Sequence, residues 1–415
     1  MAPQGHRCKI ANPAPIKKPP PSLATMSPAV FPLLSLMPVS DMDGRWVALE
    51  IRCAVDDMDR EALNALFAEL KLGNILGGLG CILPLASATP LDPEAAAPTN
   101  GIVVLLPADS LSTVDQDTLA RLRGLGYRFM VRGPLATPAT SEGVSLAFAA
   151  AATDDATPSL LAHRPGPHLA HSVAEPSQVA ALARVGFHWF GGVWPLHRSG
   201  HGSSHDGPSR ARLLKLLALV ARDADAHELE AAIKQDPALS YQLLKLVNSV
   251  AFGLSRPIDH LNQALMALGR RQLQRWLQLL LYAHPESGGD HAAPLMPWAA
   301  LRGALMENLS AALGGNSDER DSAYMIGTFS LLDVLLGMSM ADLLKPLNLS
   351  APVAEALLTH AGGRLGILLG VAEAAERGDL STLSTNLETL DLTPAAFASA
   401  LSASYRWAIQ VGKDN

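Results

Sequence analysis

Cysteine is scarce in this chain. Cys8, Cys53 and Cys81 are the only three in 415 residues. They cannot all pair with one another and build no disulfide framework, so a reducing cytoplasm is the expected compartment. Long apolar runs are missing as well. No stretch reaches the roughly 18 residues that a membrane helix needs. The apolar segment from Ala29 to Val39 follows Lys17 and Lys18, but Pro32 and Pro38 interrupt it and no clean signal-peptide cleavage site is present. Basic charge is not in excess either. Lys and Arg number 32 against 39 Asp and Glu, a net charge of -7, which argues against general nucleic-acid binding but not against a local basic patch. Core-forming residues are plentiful, at 48% hydrophobic. With a prior of roughly 150 residues per domain, two to three domains are expected.

Residues 1–30 are too rich in proline for a helix or strand, and read as a disordered leader. From Leu33 the composition becomes globular. The run Pro38 to Arg45 reads as a turn between two strands, the second being WVALEIRC at Trp46 to Cys53. Glu61 to Leu72 carries Leu63, Leu66, Phe67 and Leu70 at helical spacing. The glycine-rich stretch Gly73 to Gly80 lacks the Gly-Lys-Ser/Thr ending of a phosphate loop. Strand patterns follow at Ile102 to Leu106 and Tyr127 to Val131, with Val144 to Ala152 readable as strand or helix. Helices over Thr118 to Leu125 and Pro176 to Val185 each stop at a glycine, Gly126 and Gly186, before an aromatic strand; Phe187 to Trp194 is the last strand. Strand–helix alternation implies a parallel-type α/β unit over 31–196.

Residues 197–209 hold HRSGHGSSHDGP-type composition and read as a flexible linker. His197, His201 and His205, followed by Asp206, could ligate zinc on a helix, but the intervening glycines and serines disfavour one. Residues 210–415 then read as helices throughout: Arg210 to Arg222, Ala226 to Gln235, Arg270 to Ala283, Trp298 to Leu313, Met325 to Leu336, Val353 to His360, Leu365 to Arg377 and Pro394 to Val411. Within this half, Asp236 to Gly269 forms two capped helices. Asp236 and Pro237 suit a helix start, and Leu239, Leu243, Leu246 and Val247 form one apolar face. Asn248 and Ser249 end the run, and Gly269 is placed to stop the second helix with positive φ. Arg270, Arg271 and Arg275 follow; they are either a solvated face or a docking patch for an acidic partner or a phosphate. Asp333, among leucines, reads as a half-buried residue bonded to backbone rather than as a catalytic group.

The ordered pattern DPALS, LLKLVNS, Ile258 to Ala264 and Leu268-Gly269 resembles the HDOD domain, the HD-related output domain of bacterial signalling proteins. That resemblance implies a helical bundle without the metal-binding residues of the HD phosphohydrolases. The stretch from Met325 to Leu344 is similar to the same region of YuxH-like EAL–HDOD proteins.

The first half resembles an EAL domain, the barrel that in active members hydrolyses cyclic di-GMP. Pro38 to Glu50 is similar to its opening hairpin, with Glu50-Ile51-Arg52 at the signature Glu-Ala-Leu, and His168 to Val193 is similar to its closing segment. The pattern departs where active members bind two divalent cations. Arg132-Gly133 stands at the paired aspartates, His171 and Ala174 stand at glutamates, and Val144 to Ala152 has no lysine. Glu50 alone remains as a relic of that position, and one carboxylate cannot hold two metals. Asp154-Asp155 reads as a solvated loop pair. Leu33 to Leu196 also falls short of the roughly 200 residues of a full barrel, so an incomplete one is expected.

The fold expected is therefore α+β overall: a reduced, degenerate EAL-type α/β barrel region followed by an all-α HDOD bundle. The implied protein is a non-catalytic signalling adaptor with no cofactor, acting on an unknown partner protein. Cyclic di-nucleotide is the candidate ligand, no membrane is involved, nucleic acid is disfavoured, and self-association is open. Two other expectations compete with it: a cyclic di-GMP phosphodiesterase and a metal-dependent HD-type phosphohydrolase.

Overall fold

The computed structural model describes residues 32–54, 60–70, 78–91, 101–111, 115–132, 147–151, 161, 166–197, 213–219, 224–235, 239–240, 243–244, 247, 258, 260–282, 295–347 and 349–413. The leader 1–30 and most of the linker, with His201, His205 and Asp206, lie outside them, as do Asp154 and Asp155.

Eight strands close into a barrel in sequence order: β1 Leu34–Ser40, β2 Trp46–Cys53, β3 Gly80–Pro84, β4 Ile102–Pro107, β5 Arg128–Arg132, β6 Ala147–Ala151, β7 Leu169–His171 and β8 Trp189–Gly191. β1 runs antiparallel to both neighbours and the others are parallel. The β1–β2 hairpin turns through Asp41, whose Oδ1 accepts from the Asp43 and Arg45 amides at 3.0 and 2.9 Å, an Asx turn that suits its polar sequence. The expected incompleteness is thereby corrected. Strands as short as three residues at β7 and β8 close the sheet. The strand expected over Phe187 to Trp194 shrinks to β8, and a 3-10 turn follows at Trp194–Leu196, where Pro195 offers no N–H to a ladder.

The helices of this half are α1 Arg60–Leu70, α2 Ala108–Leu111, α3 Gln116–Gly124 and α4 Pro176–Arg184. Asp115 caps α3 by accepting from Thr118 N, and Glu175 with Gln178 forms a capping box on α4. Strand alternation splits the apolar residues into two sets. Val39, Ala48, Ile82, Val103, Leu105, Met130 and Leu169 pack inside the barrel. Leu34, Leu36, Leu49, Ile51, Leu83, Val104 and Phe129 face out into a core shared with the helices.

The helical half contains α5 Ala226–Lys234, α6 Leu261–Leu280, α7 Leu295–Ala312, α8 Ser317–Phe329, α9 Leu332–Leu336, α10 Met340–Leu344, α11 Ala351–Thr359, α12 Arg364–Arg377, α13 Leu380–Thr389 and α14 Pro394–Lys413. Residues 213–219 are helical as well. Gly269 interrupts α6 with φ +73 and ψ 161, so the run is two helices meeting at the glycine. The single helix expected over Met325 to Leu336 breaks instead at Ser330 and Leu331, giving α8 and α9.

At the centre, α7 crosses α8 closely and lies along α14. Gly303 and Gly327 sit at the α7–α8 crossing. A Cβ on Gly327 would come within 2.6 Å of the Arg302 backbone, and one on Gly303 within 2.8 Å of the Thr328 methyl. Only glycine permits that approach.

Among the described residues, the two halves meet along β1 and β2 and also where α1 approaches α14. β1 pairs with β8 only through Val39–Gly191 and Ser40–Phe190. Further along β1, helices take over. Ser35 Oγ donates to the Ala375 carbonyl at 2.5 Å, and the Tyr405 hydroxyl donates to the Leu36 carbonyl. Trp46 lies edge-on to Trp298, centroids 5.8 Å apart, and tilts against Tyr405 at 5.7 Å. Thus α12 and α14 cover the stretch of β1 that β8 is too short to reach.

Candidate functional site

The inward-facing rows of the barrel end in charge. On β2, Ala48 faces the interior and Glu50 and Arg52 follow it at the period of two; on β5, Arg132 follows Met130; on β7, His171 follows Leu169. All four lie towards the C-terminal ends of parallel strands, the face on which (β/α) barrels carry their sites.

Glu50 is 1% exposed and His171 7% exposed. Arg52 Nε lies 3.2 Å from Glu50 Oε1, its terminal nitrogen 3.4 Å from Oε2, and His171 Nδ1 3.4 Å from Oε2. Burial alone would raise the Glu50 pKa, but His171, Arg52 and Arg132 together outweigh it and hold the carboxyl below its ordinary value. Arg132, at the rim, is lowered by partial burial and by Arg52, against the pull of Glu50. The grip on the carboxylate is loose. Glu50 Oε1, Arg52 Nε and both ring nitrogens of His171 are buried without a hydrogen-bond partner of good geometry.

A two-cation centre does not fit this donor set. Hard divalent cations want several carboxylate or carbonyl oxygens. Here one carboxylate and one imidazole stand between two guanidinium groups that would repel a cation. No group of three or more His, Cys, Asp or Glu is arranged to hold a metal among the described residues. Cys53 and Cys81 are not reactive thiols, since burial pushes both up to about 12.

In the helical half, the residues picked out by sequence serve packing. Leu239, Leu243 and Val247 are buried, and Ser240 Oγ donates to the Ile233 carbonyl at 3.1 Å. Asp236, Pro237, Asn248 and Ser249 lie outside the described residues. Arg270 donates to the Ala224 carbonyl at 2.8 Å. Arg271 lies 2.6 Å from Asp321, and Arg275 lies 2.5 Å from Glu307 and 4.6 Å over the Tyr324 ring. These two arginines therefore spend their charge on carboxylates of α7 and α8. Asp333 Oδ1 accepts from the Val334 amide at 2.9 Å, a backbone contact as expected.

One buried charge pair has no counterpart in the expectations from sequence. Arg302 on α7 meets Glu376 on α12 through Nε at 2.9 Å and a terminal nitrogen at 2.7 Å, a two-pronged contact. Its other terminal nitrogen donates to Ser330 Oγ at 2.7 Å and lies 3.6 Å from Glu373. Burial opposes the charge on Arg302, but Glu376 and Glu373 raise its pKa above the ordinary arginine value. The signal was a lone arginine inside the apolar run LMPWAALRGALM.

Comparison with family models assigns part of the helical half. A family model for the HDOD domain matches residues 210–329. This segment is an HDOD domain. The match ends with α8, so α9 to α14 lie beyond it. The chain is 30% identical over 197 residues to the uncharacterized protein YuxH of Bacillus subtilis, covering 46% of this chain and 47% of that one. It is 26% identical over 246 residues to the cyclic di-GMP phosphodiesterase CdgJ of Vibrio cholerae, covering 59% and 56%. The chain thus spans about half the length of the curated relatives it matches. Among solved structures, the MmoQ response regulator of Methylococcus capsulatus aligns at 18% identity and a TM-score of 0.24, over 46% of this chain and 95% of that one. No helix among the described residues is long and apolar enough to cross a membrane.

Proposed function

We propose that the protein is a non-catalytic regulator of the bacterial cytoplasm, in which an EAL-like barrel that has lost its metal ligands is joined to an HDOD domain that docks a partner protein. One observation carries the non-catalytic half of this reading: Glu50, a buried carboxylate at the C-terminal end of β2, is held by Arg52, His171 and Arg132 rather than left free for cations. The antiparallel opening hairpin and the Arg132 position at the end of β5 support descent from an EAL-type barrel. The HDOD domain and the relatedness to CdgJ support a place in signalling connected with cyclic di-GMP.

The test is hydrolysis of cyclic di-GMP by the purified full chain in magnesium or manganese. The expected result is no turnover above a heat-treated control. Turnover that a chelator abolishes, and that Glu50→Gln removes, would make the protein a phosphodiesterase. A second reading, a receptor that binds a nucleotide without cleaving it, is favoured by the unsatisfied donors at the mouth.

A further inference from the structure

We propose that α12 and α14 form a connector that couples β1 of the barrel to α7 of the HDOD domain, so that a change on either side is felt on the other. Both helices lie beyond the HDOD match at 210–329 and outside the barrel strands. The coupling goes beyond the reading above and holds whatever either half binds.

The observation is a two-sided contact that occurs twice. On α12, two successive residues serve different neighbours. The Ala375 carbonyl accepts from Ser35 Oγ on β1 at 2.5 Å, and the Glu376 carboxylate accepts from Arg302 on α7 at 2.7–3.1 Å. On α14, two successive residues do the same. Ser404 Oγ accepts from Asn308 Nδ2 on α7 at 3.0 Å, and the Tyr405 hydroxyl donates to the Leu36 carbonyl on β1. Neighbouring residues of one strand are thus tied, through two helices, to two residues of one helix. Trp46 of β2 lies edge-on to Trp298 of α7 and tilts against Tyr405, an aromatic contact between the same two sides.

Each tie has a local cause. Ala375 sits in the last turn of α12, where carbonyls lack a helical partner. The Leu36 carbonyl lies on the part of β1 beyond its two pairs with β8. Ser35, Arg302, Glu376, Ser404 and Tyr405 are all buried, so a broken contact is not replaced by water. Successive helical residues stand about 100° apart around the axis. A turn or slide of either helix that follows one neighbour therefore strains its contact with the other. The helix moves with both or loses a buried hydrogen bond, which is how a packed network carries coupling.

The connector also reaches the barrel interior. Gly378 closes α12 at φ +66, and a Cβ there would lie 2.7 Å from Met37 Sδ and 3.7 Å from Arg52 Cγ. The head of Arg52 holds Glu50, so the end of α12 rests against the stem of a residue in the charged cluster.

The test is hydrogen exchange of the full chain under native conditions. Tyr405→Phe removes only the barrel contact of α14. Asn308→Ala removes only its α7 contact, and Ser404 keeps the Ala400 carbonyl. Tyr405→Phe is expected to raise exchange about two- to tenfold across α7, residues 295–312, as well as in β1, residues 34–40. Asn308→Ala is expected to do the converse, reaching β1 from α7. The double variant should change exchange by less than the product of the two single effects, because the first loss already frees the helix. Val103→Ala, inside the barrel on β4, should raise exchange there and leave α7 as in wild type. Ser35→Ala makes the same test on α12 should Tyr405→Phe fail to fold. Effects confined to the half that lost its contact overturn the proposal, as does a Val103→Ala effect on α7 equal to that of Tyr405→Phe. Either failure leaves hydrolysis and partner docking as separate questions.

Discussion

Glu50 in the barrel and Glu376 in the bundle are both buried, and both face arginine. Glu376 meets Arg302 in a two-pronged contact at 2.7–3.1 Å, and Ser330 and Glu373 take up the rest of the guanidinium. Glu50 meets Arg52 and His171 at 3.2–3.4 Å, with four polar atoms of the three side chains left unsatisfied. The difference separates structure from site. A saturated buried pair has nothing left to offer a ligand and serves to fix α7 against α12. The Glu50 cluster is held by longer contacts and leaves several polar atoms unpaired.

The comparison breaks first if the Arg302 pair proves dispensable. Arg302→Ala should cost roughly 3–5 kcal/mol in denaturant unfolding, because it strands a buried carboxylate. The double change Arg302→Met with Glu376→Leu should cost much less, since neither charge remains. Gly327→Ala should cost roughly 1–3 kcal/mol, since its methyl group would press on the Arg302 backbone at the α7–α8 crossing. Removal of the interface hydroxyl by Tyr405→Phe should cost about 1 kcal/mol, read as a small fall in unfolding midpoint. The barrel pair is sharpened by pH. The Glu50 pKa is lower in the fold than its ordinary 4.5, so its ionisation stabilises the fold above that value. The benefit is lost as pH falls through the lower, folded value. The stability advantage of wild type over Glu50→Gln should therefore be present at about pH 7 and shrink towards about pH 3; an advantage that grows on acidification would contradict the assignment.

Much of this architecture was legible in the residues, and the gaps have physical causes. Strong signals were local ones: the Pro38 to Arg45 turn, the glycine stops at Gly126 and Gly186 with φ +98 and +107, and the break at Gly269. β3, only GCILP after a glycine-rich stretch, passed unnoticed because five residues carry little periodicity. α13, LSTLSTNLET, was hidden by serine and threonine of weak helix propensity; the Asp379 cap and the burial of Leu383 and Leu387 establish it. Closure of the barrel could not be read from length, because strands of three residues suffice when neighbouring helices cover the shortfall.

The candidate site was legible in pieces. Glu50, Arg132 and His171 were each visible as a relic or a departure from a metal-binding pattern. Their convergence on one another depends on strand register, which sequence does not give. The arginines at 271 and 275 showed the reverse: clustered in sequence, they are consumed together by Glu307 and Asp321, which each of them contacts, once α7 and α8 are in place.

The most direct measurement of the central claim is calorimetric titration of manganese into chelator-stripped full-length protein, wild type beside Glu50→Gln. If arginine and histidine have taken the place of cations around Glu50, neither protein shows stoichiometric binding and their traces coincide. Two manganese ions bound per wild-type chain, and lost in Glu50→Gln, would contradict it.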